Sequence, residues 1–249
     1  KKTLFFERVY RQEDSTFLQA LDRIRENNIS EKLLAYFNKR VEGSSIIDKV
    51  PRKIMVLAPT NRRTNELNLK KLNSLPSQEF NYESQVSGVF PDKYMPTEKS
   101  LKLKVGAQIM TVKNGDMFVN GSLGIIKELK EDEIIVNIKN RLITIKPVVW
   151  ERFDYKKIKE KVYRPHVIGR FRQYPIKLAW ASTIHKCQGQ TFKRVIIDLD
   201  SGTFAHGMTY VALSRVKSIE GLSLVRKLST RDIKFDNRIY EYHKSIQLF

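Results

Sequence analysis

An α/β fold built on a parallel sheet, with a small antiparallel β-barrel inserted into it, is what this sequence predicts. Three observations carry that expectation. Strand-like and helix-like segments alternate from the start of the chain to about residue 72. From about residue 80 the pattern changes to a loop-rich stretch and then short strand-like runs separated by turn residues. From Phe171 the alternation resumes and continues to the end.

Thr3–Val9 reads as a short opening strand, running into Tyr10-Arg11-Gln12. Asp14 or Ser15 can cap a helix whose apolar residues Phe17, Leu18, Leu21 and Ile24 recur at helical spacing. Ser30 caps the next helix, with Leu33, Leu34 and Phe37 on one face. Gly43-Ser44-Ser45 is a loop, Lys53–Ala58 a buried strand, and Pro59-Thr60-Asn61 opens a polar helix to about Leu72. Pro76, Pro91 and Pro96 punctuate a loop-rich stretch. After it, Ala107–Val112, Leu123–Leu129, Ile134–Lys139 and Leu142–Lys146 read as strands. Asn120-Gly121 and Asn140-Arg141 sit where tight turns would join them, Asn-Gly being the strongest short-range hairpin signal. Val195–Leu199 is an apolar strand. TYVALSRV at Thr209–Val216 reads as a helix buried through Tyr210, Val211, Leu213 and Val216, leaving Ser214-Arg215 at its polar edge.

At 249 residues, 41% of them hydrophobic, the chain is long enough for one large or two modest cores. A formal charge of +19 calls for a polyanionic partner, nucleic acid before an anionic membrane surface. No apolar run approaches a membrane span, and Lys1–Phe6 runs into Glu7-Arg8 without the apolar core of a signal peptide. Cys187 is the single cysteine, which excludes an intrachain disulfide and a multi-cysteine zinc site. His166, His185, His206 and His243 show no paired ligand spacing, so no metal site is expected. These features fit a reducing compartment.

Several segments carry chemistry. An arginine such as Arg11, at a strand's end beside a capped helix, can neutralise a transferring phosphoryl group, because the guanidinium is planar, permanently charged and binds two oxygens at once. The alternative for Arg11 is a solvated surface group. Arg215, held on a rigid apolar helix, is preorganised for transition-state charge, the alternative being an interior salt bridge. In STIHKCQGQT, Ser182–Thr191, the side chains of Thr183, His185 and Lys186 are donors suited to a nucleic-acid phosphate, and Gly189 lets the backbone approach a ligand. Thr60 and Asn61 lie where α/β proteins bind ligands, and can equally serve as an N-cap. Lys139–Arg172 holds eleven Lys or Arg against three Asp or Glu, interleaved with Trp150, Phe153, Tyr155, Tyr163 and Phe171. Those aromatic faces can stack bases or fill a small barrel's core.

Taken together, Tyr10–Arg25, AWASTIHKCQGQTF (Ala179–Phe192), TYVALSRV and FVNGSLG (Phe118–Gly124) resemble superfamily-one helicases of the RecD-like group, which includes the Pif-type enzymes. The resemblance runs from Phe6 to about Ile233. Cys187 stands where relatives often have serine, and reads as a packing residue. The resemblance implies a second RecA-like motor domain at 1–91 and 171–249, interrupted by an SH3-like insertion at 92–170. No G-x-x-x-x-G-K-[ST] loop occurs in the chain, so the Walker elements, and most of the contacts to ATP and Mg²⁺, would belong to a first RecA-like domain absent from it.

On the same basis Arg11 and Arg215 are expected as the catalytic arginines of the ATP cleft. Gly189, Gln190 and Thr191 are expected on the nucleotide side. Thr60, Asn61, Asn120, Gly121, Thr183, His185 and Lys186 are expected on the DNA side. The implied whole is an ATP-dependent DNA helicase moving 5′ to 3′ on single-stranded DNA and serving replication, repair or recombination. It would be cytoplasmic and nucleoid-associated in a bacterium, nuclear or mitochondrial in a eukaryote. The chain reads as a fragment of it, inactive alone, whose partners are single-stranded DNA and the missing N-terminal domain, with no membrane. Two other readings stay open: a RecD-like subunit of a helicase–nuclease complex, and a non-enzymatic basic DNA-binding module.

Overall fold

The structure, a computed structural model, describes residues 11–12, 14–50, 53–159 and 162–246. The strand expected at Thr3–Val9, and Tyr10 after it, lie outside the described residues. In chain order the helices are α1 (Ser15–Arg25), α2 (Glu31–Asn38), α3 (Ser45–Asp48), α4 (Asn61–Asn73), α5 (Met208–Leu213) and α6 (Asn237–Ile246). Strands β1 (Met55–Ala58), β2 (Glu79–Glu83), β3 (Gln85–Gly88), β4 (Ser100–Lys104) and β5 (Gln108–Thr111) come first. They are followed by β6 (Leu123–Leu129), β7 (Ile134–Ile138), β8 (Arg141–Ile145), β9 (Val148–Lys159) and β10 (Val162–Gln173). The last are β11 (Ile176–Leu178), β12 (Ala181–Thr183), β13 (Val195–Ile197) and β14 (Leu222–Leu224). Two compact units result: the first takes the chain up to Leu67 and from Trp180, the second Asn68–Ala179.

The first unit is organised by a four-stranded sheet in the order β12-β1-β13-β14, every neighbour parallel. Its strands are short and buried throughout, as a sheet covered on both faces requires. Ile47, Ile54, Val56, Leu67, Ala181 and Ile196 close one core cluster against it. Asp14 caps α1, its carboxylate accepting from Thr16 N and Phe17 N. Phe17, Ala20, Leu21 and Ile24 are the buried residues of that helix, which packs against α5. Ser30 caps α2 through Leu33 N.

The second unit is antiparallel. A five-stranded sheet runs β11-β5-β6-β7-β8, a three-stranded sheet β3-β10-β9, and a pair β2-β4. This unit is wider than the insertion expected at 92–170, because β2 and β3 pair with β4 and β10, and β11 pairs with β5. The α/β alternation therefore resumes at Trp180 and not at Phe171. The β7–β8 turn sits at Lys139-Asn140, where both residues have positive φ, and not at Asn140-Arg141. Asn120-Gly121 is not a two-residue hairpin either. It forms the centre of a Val119–Ser122 turn with only Gly121 at positive φ, the type II pattern, inside a longer β5–β6 connection. Thr111 pins that turn: its hydroxyl donates to Val119 O and its carbonyl accepts from Gly121 N.

The aromatics of Lys139–Arg172 divide. Trp150 and Phe90 each pack on Phe171 inside the second unit, both ring centroids 5.6 Å from that of Phe171. Phe153, Tyr155 and Tyr163 stay exposed on the long β9–β10 hairpin.

Candidate functional site

Two clusters of sequence-predicted residues form in the first unit, one on each side of the Ile184–Gln190 connection. Loops after β12 and β1, adjacent parallel strands, build the first, and both leave the carboxyl ends of their strands. Thr60 is the N-cap of α4, its hydroxyl accepting from Arg63 N at 3.2 Å. Asn61, the first residue of that helix, is exposed and accepts at its Oδ1 from Lys186 Nζ at 3.4 Å. His185 and Lys186 belong to a single 3-10 turn, His185–Cys187, and are both exposed. Thr183 is buried instead, with its hydroxyl accepting from Lys186 N at 3.4 Å, so it shapes the turn from below. An ammonium, an imidazole and a carboxamide thus share one exposed ledge.

The connection then runs the length of β1. Ile184 N donates to Ala58 O at one end of the strand, and the Cys187 thiol packs on the Met55 sulfur, 3.8 Å away, at the other. Cys187 is fully buried, in keeping with a packing role. Beyond it Gln188-Gly189 forms a type II turn closed by Gln190 N donating to Cys187 O at 3.1 Å. Gly189 is required there by its φ of +81°, and not by crowding, since a Cβ would meet nothing within 4 Å.

Arg11, Arg215 and Thr191 gather at the far side of this turn. Arg11 Nε donates to the Thr191 hydroxyl at 2.9 Å. Arg215 lies one residue beyond Ser214, the C-cap of α5, and is only 5% exposed, so it is not at a solvated polar edge of the helix. Met208, Thr209, Ala212 and Leu213 are the buried residues of α5, while Tyr210 and Val211 are half-buried. The Arg215 guanidinium donates to Val211 O (2.7 Å), Gln190 O (3.1 Å), Cys187 O (3.4 Å) and the Ser214 hydroxyl (2.7 Å). All are neutral oxygens, and among the described residues no carboxylate pairs with it. Burial, and then the charge of Arg11, push its pKa below the ordinary arginine value. Gln190 also carries a buried carboxamide oxygen with no hydrogen-bond partner among the described residues.

Gln12 is the residue sequence reasoning missed. Buried at 8% exposure, it donates from Nε2 to Ser214 O and Val216 O, both at 3.1 Å. That fastens the segment bearing Arg11 to the end of α5 bearing Arg215. Its adjacency to Arg11 was the only available signal. Asn120 and Gly121 belong to the second unit, at an exposed turn whose neighbour Val119 is 62% exposed.

Comparison with known proteins gives this arrangement a context. Residues 92–129 match the family model described as DNA helicase Pif1, 2B domain. The chain is 28% identical over 99% of its length to the ATP-dependent DNA helicase Pif1 of Bdellovibrio bacteriovorus, covering 55% of that protein. It is 31% identical over 97% of its length to the ATP-dependent DNA helicase PIF1 of Danio rerio, covering 36% of that protein. The chain thus spans about half the length, or less, of these relatives, as a counterpart of their C-terminal portion. Among solved structures, unliganded Pif1 from Bacteroides sp superposes with a TM-score of 0.83 at 28% identity, over 96% of this chain and 56% of that one. The Bacteroides enzyme in complex with ADP-AlF4 gives 0.81, and bound to ssDNA 0.72, each at 28% identity over 96% of this chain and 55% of that one. The parallel-sheet unit therefore has the fold of a helicase motor domain, consistent with a second RecA-like domain.

Proposed function

We propose that the chain is the C-terminal motor half of an ATP-dependent DNA helicase that travels 5′ to 3′ along single-stranded DNA. One observation carries this reading: a buried Arg215 with only neutral partners, set beside Arg11 and the buried, unpartnered oxygen of Gln190. Two guanidiniums held together without a counter-charge among the described residues make a site for a polyanion, and ATP is the polyanion that the ATP-dependent relatives use. Magnesium-bound ATP would supply the phosphoryl group. Arg215 and Arg11 would neutralise the charge developing on its oxygens, while Thr191 orients Arg11. A P-loop domain would have to complete the site.

On the other cluster, Lys186, His185 and Asn61 would grip the phosphates of a DNA strand. That a similar solved structure is Bacteroides Pif1 bound to ssDNA supports single-stranded DNA as the partner. The second unit would be the inserted SH3-like domain, with Asn120 and Gly121 of its Val119–Ser122 turn as its own contacts to DNA. Direction of travel follows from the resemblance of the motifs.

The test is single-stranded DNA binding by this chain at two salt concentrations. Wild type should bind with a steep salt dependence, and Lys186→Ala should lower the slope of log affinity against log salt by about one. Unchanged binding and slope in Lys186→Ala would remove the DNA assignment. With a P-loop domain restored, Arg215→Ala should cut ATP turnover by roughly three orders of magnitude with DNA affinity retained.

A further inference from the structure

A third loop reaches the carboxyl side of the parallel sheet, the one after β13, and it presents Phe204. Among the described residues of the first unit Phe204 is the most exposed large apolar side chain, at 60%. It does not stand alone. Its ring centroid lies 5.7 Å from that of His185, with the planes tilted by 42°. His185 is itself exposed, and its chain neighbour is Lys186.

The loop that carries Phe204 is fixed on both sides. Thr203, immediately before it, is buried and donates its hydroxyl to Asp232 O at 2.8 Å. Gly207 N donates to Lys234 O at 2.9 Å, and Gly202 N to Leu199 O at 2.7 Å. Arg226 Nε holds Asp200 O at 3.0 Å. An apolar ring kept in water by a braced loop gains nothing for the fold. Yet it offers a flat face, already ordered, within reach of an ammonium and an imidazole. Ordered aromatic faces beside basic groups are what unpaired bases stack on, and stacking tolerates any sequence because every base has a π-face.

We infer that Phe204, backed by the His185 ring, is a stacking platform for an unpaired nucleobase of the strand whose phosphates Lys186 and Asn61 hold; this rests on the DNA reading given above. The site thereby recognises two chemistries of one ligand, backbone charge at Lys186 and base face at Phe204. A single strand satisfies both. A duplex, with its bases already stacked, satisfies only the first.

The experiment uses fluorescence anisotropy of the chain with a short oligothymidylate and with an abasic deoxyribose-phosphate strand of equal length. Phe204→Ala and Phe204→Leu should each weaken oligothymidylate binding about tenfold and leave abasic binding and the salt slope unchanged. Phe204→Trp should retain the preference for bases, and thermal melts of all three should match wild type, since the side chain is exposed. Oligothymidylate binding by Phe204→Ala equal to wild type overturns the platform alone. So does an equal loss on both strands, which would mean a structural role. Failure of the wild-type chain to bind either strand overturns the DNA reading and the platform together.

Discussion

The guanidinium of Arg11 lies close enough to that of Arg215 to oppose its charge, adding to the larger effect of burial on Arg215. Like charges brought together by Gln12 and Thr191 are at their most favourable when a polyanion sits between them. Millimolar tripolyphosphate should therefore raise the melting temperature of the chain by about 1–2 °C above that in sodium chloride of equal ionic strength. Arg11→Ala should abolish the rise. A rise of equal size in that variant would place the anion elsewhere on this basic protein.

Gln12→Ala removes two buried donations and strands the carbonyls of Ser214 and Val216. The expected loss is about 2 kcal/mol in urea unfolding. Gln12→Glu should lose more, because a carboxylate facing two carbonyl oxygens cannot donate to either. If both variants unfold at the wild-type midpoint, Gln12 does not fasten Arg11 to α5.

Gly189→Ala tests the turn between the two clusters. Nothing would collide with the added methyl group, so the cost is that of a left-handed backbone alone, about 1 kcal/mol. Gly221→Ala makes the contrast: its methyl group would run into the Lys193 carbonyl and should cost more. Equilibrium denaturation of the pair should give that order.

The pH profile of stability should report Asp232. This buried carboxylate accepts two bonds from Arg226, at 2.6 and 2.9 Å, and one each from the N–H and hydroxyl of Ser229. Burial alone would raise its pKa, but Arg226 and Ser229 outweigh it and the net shift is downward. A depressed folded pKa stabilises above the unfolded value of about 3.9 and ceases to do so as pH falls through the folded value. Stability from this pair should thus hold from neutrality to about pH 5 and decline below about pH 4. Asp232→Asn should be less stable by about 1–3 kcal/mol at pH 7, with the gap closing in acid.

The first unit was largely legible because its buried strands and capped helices announce themselves as apolar runs and Asp or Ser caps, as β1, β13, α1 and α2 do. The second unit was less so. In β9 and β10 the residues Phe153, Tyr155 and Tyr163 alternate with charged ones on an exposed ribbon, so no apolar run marks a strand, and the stretch read as a basic patch. The wide boundary at Leu67 and Trp180 depends on long-range pairing of β2, β3 and β11, which no local window contains. At the site, residue types were readable but burial was not. Arg215 looked like an edge residue because a helix wheel cannot register that the helix ends at Leu213. Phe204 escaped notice because a lone phenylalanine before a glycine-bounded helix reads as core.

Lys186 and Cys187 are consecutive, yet the ammonium of one rests on Asn61 and the carbonyl of the other on Arg215. A single peptide unit therefore separates the exposed ledge of Lys186 from the buried guanidinium of Arg215. Sites so joined need no relay through the protein interior. Any rotation of that one short turn is felt by both at once, as the two ends of a rocker are.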